Sequence, residues 1–218
     1  MMRNMPFQGI IFDLDGTLVD SFPGIERSLR SAVREVTGTD IAVPRKIVGP
    51  SLRILVSTLL ALPESDGRVE AVAKSFRALY DAEGWQDTVA YEGVRPTLDV
   101  LRARGMRLFV ATNKVERPTR AILAHLGLDD GFEIVLCRDS VKPPFPSKAE
   151  MAAYLLASTG LGAGDVLLVG DSEDDALAAR HNNVAFCWAA YGYRSSLGEG
   201  VVSRWVIQTL ADLLEVVN

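Results

Sequence analysis

Residues 9–20 read GIIFDLDGTLVD: a short apolar run that ends on two aspartates one residue apart, Asp13 and Asp15, with Gly16 next. GIIF lacks the alternation of a strand with one wet face, so it reads as a strand buried on both sides. Two like charges at its end repel each other and resist burial. An acidic turn accounts for the DG pair, since both residue types favour turns. It does not account for an apolar strand running straight into carboxylates. A calcium loop is excluded, because the twelfth position counted from Asp13 is Gly24, where a glutamate is required.

Further strand-like runs follow: RLFVAT (107–112), IVLC (134–137), VLLVG (166–170), VAFCWAA (184–190) and RWVI (204–207). Helical patterns separate them at 95–105, 115–127, 147–160 and 172–182, three of them stopping at Gly105, Gly127 and Gly160. This alternation predicts an α/β fold, a Rossmann-like parallel sheet with helices on both faces. Residues 22–91 break the rhythm, with three helical patterns and no convincing strand. About seventy residues is far beyond the usual βα connection. The expected organisation is a catalytic core of 1–20 and 92–218 with an inserted α-helical cap subdomain at 21–91. Such an insertion leaves the core at the carboxyl end of the first strand, where open α/β sheets bind ligands.

The 218 residues are 48% apolar and 23% charged, a globular composition. A net charge of −5 without a basic cluster argues against nucleic acid as partner. No run is long enough for a membrane helix, and the first residues lack a secretory apolar stretch. Cys137 and Cys187 sit in apolar surroundings and read as buried free thiols. A cytoplasmic protein is expected.

Two other strand ends carry polar groups. RLFVAT runs into Thr112-Asn113-Lys114, and VLLVG ends in Gly170-Asp171-Ser172, with Asp174 and Asp175 just after. A hydroxyl at a strand end often only caps the next helix, and acidic residues suit a first helical turn. If the strands are parallel, however, all three polar ends converge on one rim.

FDLDGTLVDS paired with the distant VGDSEDD resembles the haloacid dehalogenase-like superfamily of phosphohydrolases, in its phosphoglycolate phosphatase-like branch with a helical cap. The resemblance runs from Gly9 to the closing RWVIQTLADLLEVV. It implies that Asp13 is a nucleophile forming an aspartyl-phosphate, and that Asp15 is general acid for the leaving alkoxide and then base for water. It implies Mg²⁺ as cofactor, held by the Asp13 carboxylate, the Asp15 backbone carbonyl and Asp171, with Asp175 acting from behind them. Thr112 and the Asn113 backbone amide would bind the phosphoryl group. Lys148, in SKAEMAAYLL and 23 residues before Asp171, is the preferred phosphate lysine. Lys142, in KPPFP, is the alternative. Arg53 in the cap is the candidate second contact to an anionic substrate. Trp85, His125 and Trp188 read as packing or surface residues.

The implied partner is a small phosphorylated metabolite, phosphoglycolate-like first, with no nucleic acid and no membrane, and a homodimer left open. A nucleotidase or pyrophosphatase of the same family is the alternative. A β-phosphoglucomutase-like phosphomutase is disfavoured by Gly170, where such relatives carry Glu. A haloacid dehalogenase would need neither Asp15 nor the Gly-Asp pair at 170–171. A non-enzymatic phosphometabolite-binding protein has no use for both Asp13 and Asp15.

Overall fold

Flanked on both sides, the apolar run at 9–12 becomes the central strand of a parallel sheet. In the computed structural model, which describes residues 7–198 and 200–218, β1 (Gly9–Phe12) pairs with β4 (Arg107–Thr112) on one edge and β6 (Val166–Gly170) on the other. The sheet continues through β5 (Ile134–Cys137), β7 (Ala185–Ala189) and β8 (Trp205–Ile207) in the order β5-β4-β1-β6-β7-β8, every neighbour parallel. The absence of alternation in GIIF now has its cause. Ile10 and Phe12 pack into one core with Leu98 and Leu101 of α4 (Val94–Ala103) and Ile122 of α5 (Glu116–His125). Ile11 packs into the opposite core with Met151 and Leu155 of α6 (Lys148–Thr159) and Ala179 of α7 (Glu173–His181). The chain closes on a short α8 (Leu213–Val216).

The six strand readings thus correspond to six strands, and the four helical patterns of the core to α4 to α7. Residues 22–91 are largely helical. The elements are α1 (Phe22–Thr37), α2 (Leu52–Leu60) and α3 (Gly67–Ala82). They build their own apolar core from Ile25, Leu29, Val33, Val56, Val72 and Phe76. One expectation is corrected: this interval contains a strand, β3 (Val89–Ala90), paired antiparallel with β2 (Val19–Asp20). Two residues are too few to show a period. The ribbon joins the helical unit to the sheet.

Both cysteines are buried free thiols, and burial pushes Cys137 up to about 11 and Cys187 up to about 12. Among the described residues, no helix is long and apolar enough to cross a membrane.

Candidate active site

Register sets what meets at the rim. Phe12 stands opposite Val110 and Val169, so Asp13, Thr112 and Asp171 leave three adjacent strands at the same edge. This is where the strand order reverses, the usual ligand position in such sheets. Asp13 is fixed by its backbone N–H, which donates to Val169 O at 2.9 Å. A tight turn follows, with Gly16 N–H donating to Val19 O at 2.8 Å. Gly16 has φ +85°, and a Cβ there would overlap the Asp171 carboxylate, so the second aspartate needs a glycine after it.

Lys148, the first residue of α6, is buried with its ammonium 2.8 Å from Asp13 Oδ1 and 2.6 Å from Asp175 Oδ1. Burial alone would lower this lysine, but the Asp13 and Asp175 charges outweigh it and hold Lys148 above its usual range. Asp175 also accepts from Ser172 N at 3.0 Å and Ser172 Oγ at 2.5 Å, closing a capping box at the start of α7. The capping reading of this segment and its proximity to the rim are therefore both realised. Gly170 is required beside it, since a Cβ there would overlap the Asp175 carboxyl group. With these neighbours in place there is no room for the glutamate of the phosphomutase pattern.

Asp171 Oδ2 accepts from Tyr193 N at 2.6 Å, and the Trp188 indole N–H donates to Asp171 O at 3.2 Å. Asp13, Asp171 and Asp175 are all buried and offer oxygens within 4.8 Å of one another. Burial pushes Asp13 well above its ordinary range. Lys148 opposes that rise, while Asp175 and Asp171 add to it. Asp171 is pushed up to about 7, chiefly by burial and then by Asp175. Fully ionised, three carboxylates against one ammonium would leave the cluster net negative, and an all-oxygen donor set suits a hard divalent cation. Both Asp175 oxygens already have donors within the protein. Asp13 and Asp171 each keep one oxygen without a protein hydrogen bond among the described residues. The residues fit the ion that the sequence implies.

Asp15 faces elsewhere. Its Oδ1 accepts from Ser21 Oγ at 2.5 Å, and both of its oxygens meet Lys114 Nζ, at 3.1 and 2.9 Å. Thr112 is buried and its Oγ1 accepts from Lys114 N at 3.2 Å. The Asn113 side chain donates to Gly49 O at 3.0 Å and Asp174 Oδ2 at 2.7 Å, tying the rim to the helical unit. Lys142 lies on the exposed loop before α6. Arg53 lines the cleft but is half-exposed, donating to Glu64 O at 2.8 and 3.1 Å with the Glu70 carboxylate 3.7 Å away. The Trp85 ring packs edge-on against His125 at 5.8 Å. Between sheet edge and helices lies a cleft of about 490 Å³, into which Asp13, Asp15, Thr112 and Lys114 face. Ile25, Leu52, Leu55, Phe76 and Tyr80 supply much of its apolar wall.

Three of these contacts lay outside the sequence reading. Lys114 was visible as a cation at a strand end, without a partner. Ser21 and Tyr193 gave no signal, because their meeting depends on the chain returning to the rim: Ser21 N donates to Tyr193 Oη at 2.8 Å.

Residues 10–189 match the family model described as haloacid dehalogenase-like hydrolase. The chain belongs to that family. It is an enzyme of the family's phosphatase class. It is 35% identical over 195 residues to a phosphoglycolate phosphatase of Rhodospirillum rubrum, covering 85% of this chain and 80% of that protein. It is also 35% identical over 190 residues to the tyrosine-protein kinase PtkA of Mycobacterium tuberculosis, covering 85% of this chain but only 63% of that protein. Among solved structures, a predicted phosphoglycolate phosphatase from Haemophilus somnus superposes with a TM-score of 0.86 at 27% identity, covering 99% of this chain and 100% of that one.

Proposed function

We propose that this hydrolase is a Mg²⁺-dependent phosphomonoesterase that works through an aspartyl-phosphate on Asp13. The observation that carries the reading is the pairing of buried Asp13 with the Lys148 ammonium at 2.8 Å, inside a cluster whose other members are Asp171 and Asp175. A carboxylate can attack an anionic phosphate ester only where positive charge gathers both, and this cluster is arranged to gather it. Asp13, Asp171 and the Asp15 backbone carbonyl would hold the ion, with Asp175 bracing Lys148. When bound, magnesium supplies charge neutralisation for the phosphate oxygens and the nucleophile.

The protein's own groups then divide the work. An Asp13 oxygen attacks phosphorus, and Lys148 keeps nucleophile and phosphate together. Thr112 Oγ1 and the Asn113 amide hold the phosphoryl oxygens. The Asp15 side chain gives its proton to the departing alkoxide and later takes one from the water that cleaves the aspartyl-phosphate. Residues 21–91 act as the cap that covers the cleft and selects the leaving group, Arg53 among them, and exclude bulk water.

Phosphoglycolate is the first substrate to test, because relatives on this fold carry that name. A larger leaving group is the second reading, favoured by a cleft of about 490 Å³ with a largely apolar wall, more room than a two-carbon acid fills. A phosphate-release panel of phosphoglycolate, sugar phosphates, nucleoside monophosphates and pyrophosphate, with and without EDTA and beside Asp13→Asn, tests the reading. Release that requires both magnesium and Asp13 supports it. Release indifferent to EDTA and to the substitution overturns it.

A further inference from the structure

We infer that Lys114 is a positioning residue for Asp15, and that helix α3 sets it in place through the Tyr80 ring. The inference rests on the role proposed above for Asp15. Lys114 is not a rim cation waiting for phosphate: its side chain is only 8% exposed and its ammonium contacts both Asp15 oxygens. The ammonium sits 4.8 Å from the centre of the Tyr80 ring, within cation–π reach.

The grip on Asp15 therefore comes from two parts of the chain. Ser21, at the entry to α1, donates to Oδ1, and Lys114, at the end of β4, reaches both oxygens. A carboxyl group held at both oxygens has little freedom to rotate, which a proton-transfer residue needs near a departing oxygen. In the proposed step, an Asp13 oxygen bonds to phosphorus as the bond from phosphorus to the leaving oxygen breaks. The Asp15 proton passes to that oxygen, and the carboxylate left behind lies against the Lys114 ammonium. Because Tyr80 belongs to α3, this alignment is completed by the helical unit and not by the sheet alone.

The test uses leaving groups that differ in their need for a proton. In a two-step covalent mechanism, kcat/KM reports events up to leaving-group departure. The full-length Lys114→Met variant should lose about 100-fold in kcat/KM for an alkyl phosphate and less than about 3-fold for 4-nitrophenyl phosphate, the alkyl loss being on the scale of general acid catalysis. Tyr80→Leu, which leaves the lysine in place, should lose in the same pattern by about 10-fold for the alkyl ester. It also serves if Lys114→Met does not fold, as read by circular dichroism. An equal loss on both esters, expected if Lys114 bound the phosphate, or no loss on either, overturns the inference. A split with Lys114→Met but none with Tyr80→Leu removes the part assigned to α3. Asp15→Asn separates the two levels. A split there without one in Lys114→Met sinks only this inference, whereas no split in Asp15→Asn sinks the role of Asp15 itself.

Discussion

Lys148 Nζ lies 2.8 Å from Asp13 Oδ1, and both side chains are buried. The lysine also meets Asp175 at 2.6 Å, so it is the shared counter-charge of two buried carboxylates. Removing one partner from a buried ionic group costs more than the group contributes when intact, because the remaining charges stay desolvated. Lys148→Met should therefore lower stability in urea unfolding by about 3–5 kcal/mol. The same change should reduce kcat by about 1000-fold or more, since Lys148 would hold phosphate and nucleophile together. A fully stable, inactive variant would show that the lysine serves chemistry without anchoring the cluster.

The Asp171 carboxyl, pushed up to about 7 chiefly by burial, gives the metal-free protein a defined pH response. Its folded-state value lies above the unfolded value near 3.9. Its contribution to stability is then full below about pH 4 and lost as pH rises through about 7. EDTA-treated protein should melt at a lower temperature at pH 8 than at pH 5.5. A magnesium ion held by these oxygens, as proposed, would compete with the proton, so its stabilising effect should grow over that range. Thermal melts at the two pH values, with and without magnesium, check both statements. A magnesium-induced shift that is independent of pH would contradict them.

Gly16 combines a φ of +85° with a position where a Cβ would overlap the Asp171 carboxylate. Gly16→Ala meets both obstacles, and should cost at least about 1 kcal/mol in stability. Activity should fall more steeply than stability, because the relaxation must displace either the turn that carries Asp15 or Asp171 itself. Gly38, with φ +72° and open space around it, is the control. Its alanine variant should lose stability alone, as measured by denaturant melts beside phosphate-release rates.

Cys137 and Cys187 are buried, and burial pushes their thiols up to about 11 and about 12. The thiolate is the reactive form. A disulfide-exchange reagent should therefore find neither thiol in the native protein within minutes at pH 7.5, and both after unfolding in guanidinium. Fast native labelling would mean that the sheet opens more readily than its packing implies.

How far the sequence could be read depended on whether a residue's chemistry was local. Asp13, Thr112 and Asp171 were legible because each ends an apolar run, and parallel register alone brings such ends together. Lys148 was legible because SKAE at a helix start, 23 residues before Asp171, resembles a family pattern, and it does open α6 behind the Ser147 cap. The turn at Gly16 could be guessed, but not the carboxylate beneath it. Tyr193 and Ser21 lie at opposite ends of the chain, and no local pattern predicts a contact that folding makes. Lys114 was seen as a charge and its partner was not, since nothing in ATNK says that its side chain turns toward Asp15. Arg53 shows the same limit from the other side: a free cation in the sequence is engaged by Glu64 and Glu70 in the fold.

The central claim is that Asp13 becomes covalently phosphorylated during turnover. Acid-quenching the enzyme within its first turnovers on a reactive aryl phosphate, then sequencing its peptides by mass spectrometry, tests this directly. The account predicts one hydroxylamine-labile phosphoryl group on Asp13, absent without magnesium and absent in Asp13→Asn. Turnover with no phosphoenzyme at any quench time, or a phosphoryl group on another residue that persists in Asp13→Asn, would contradict it.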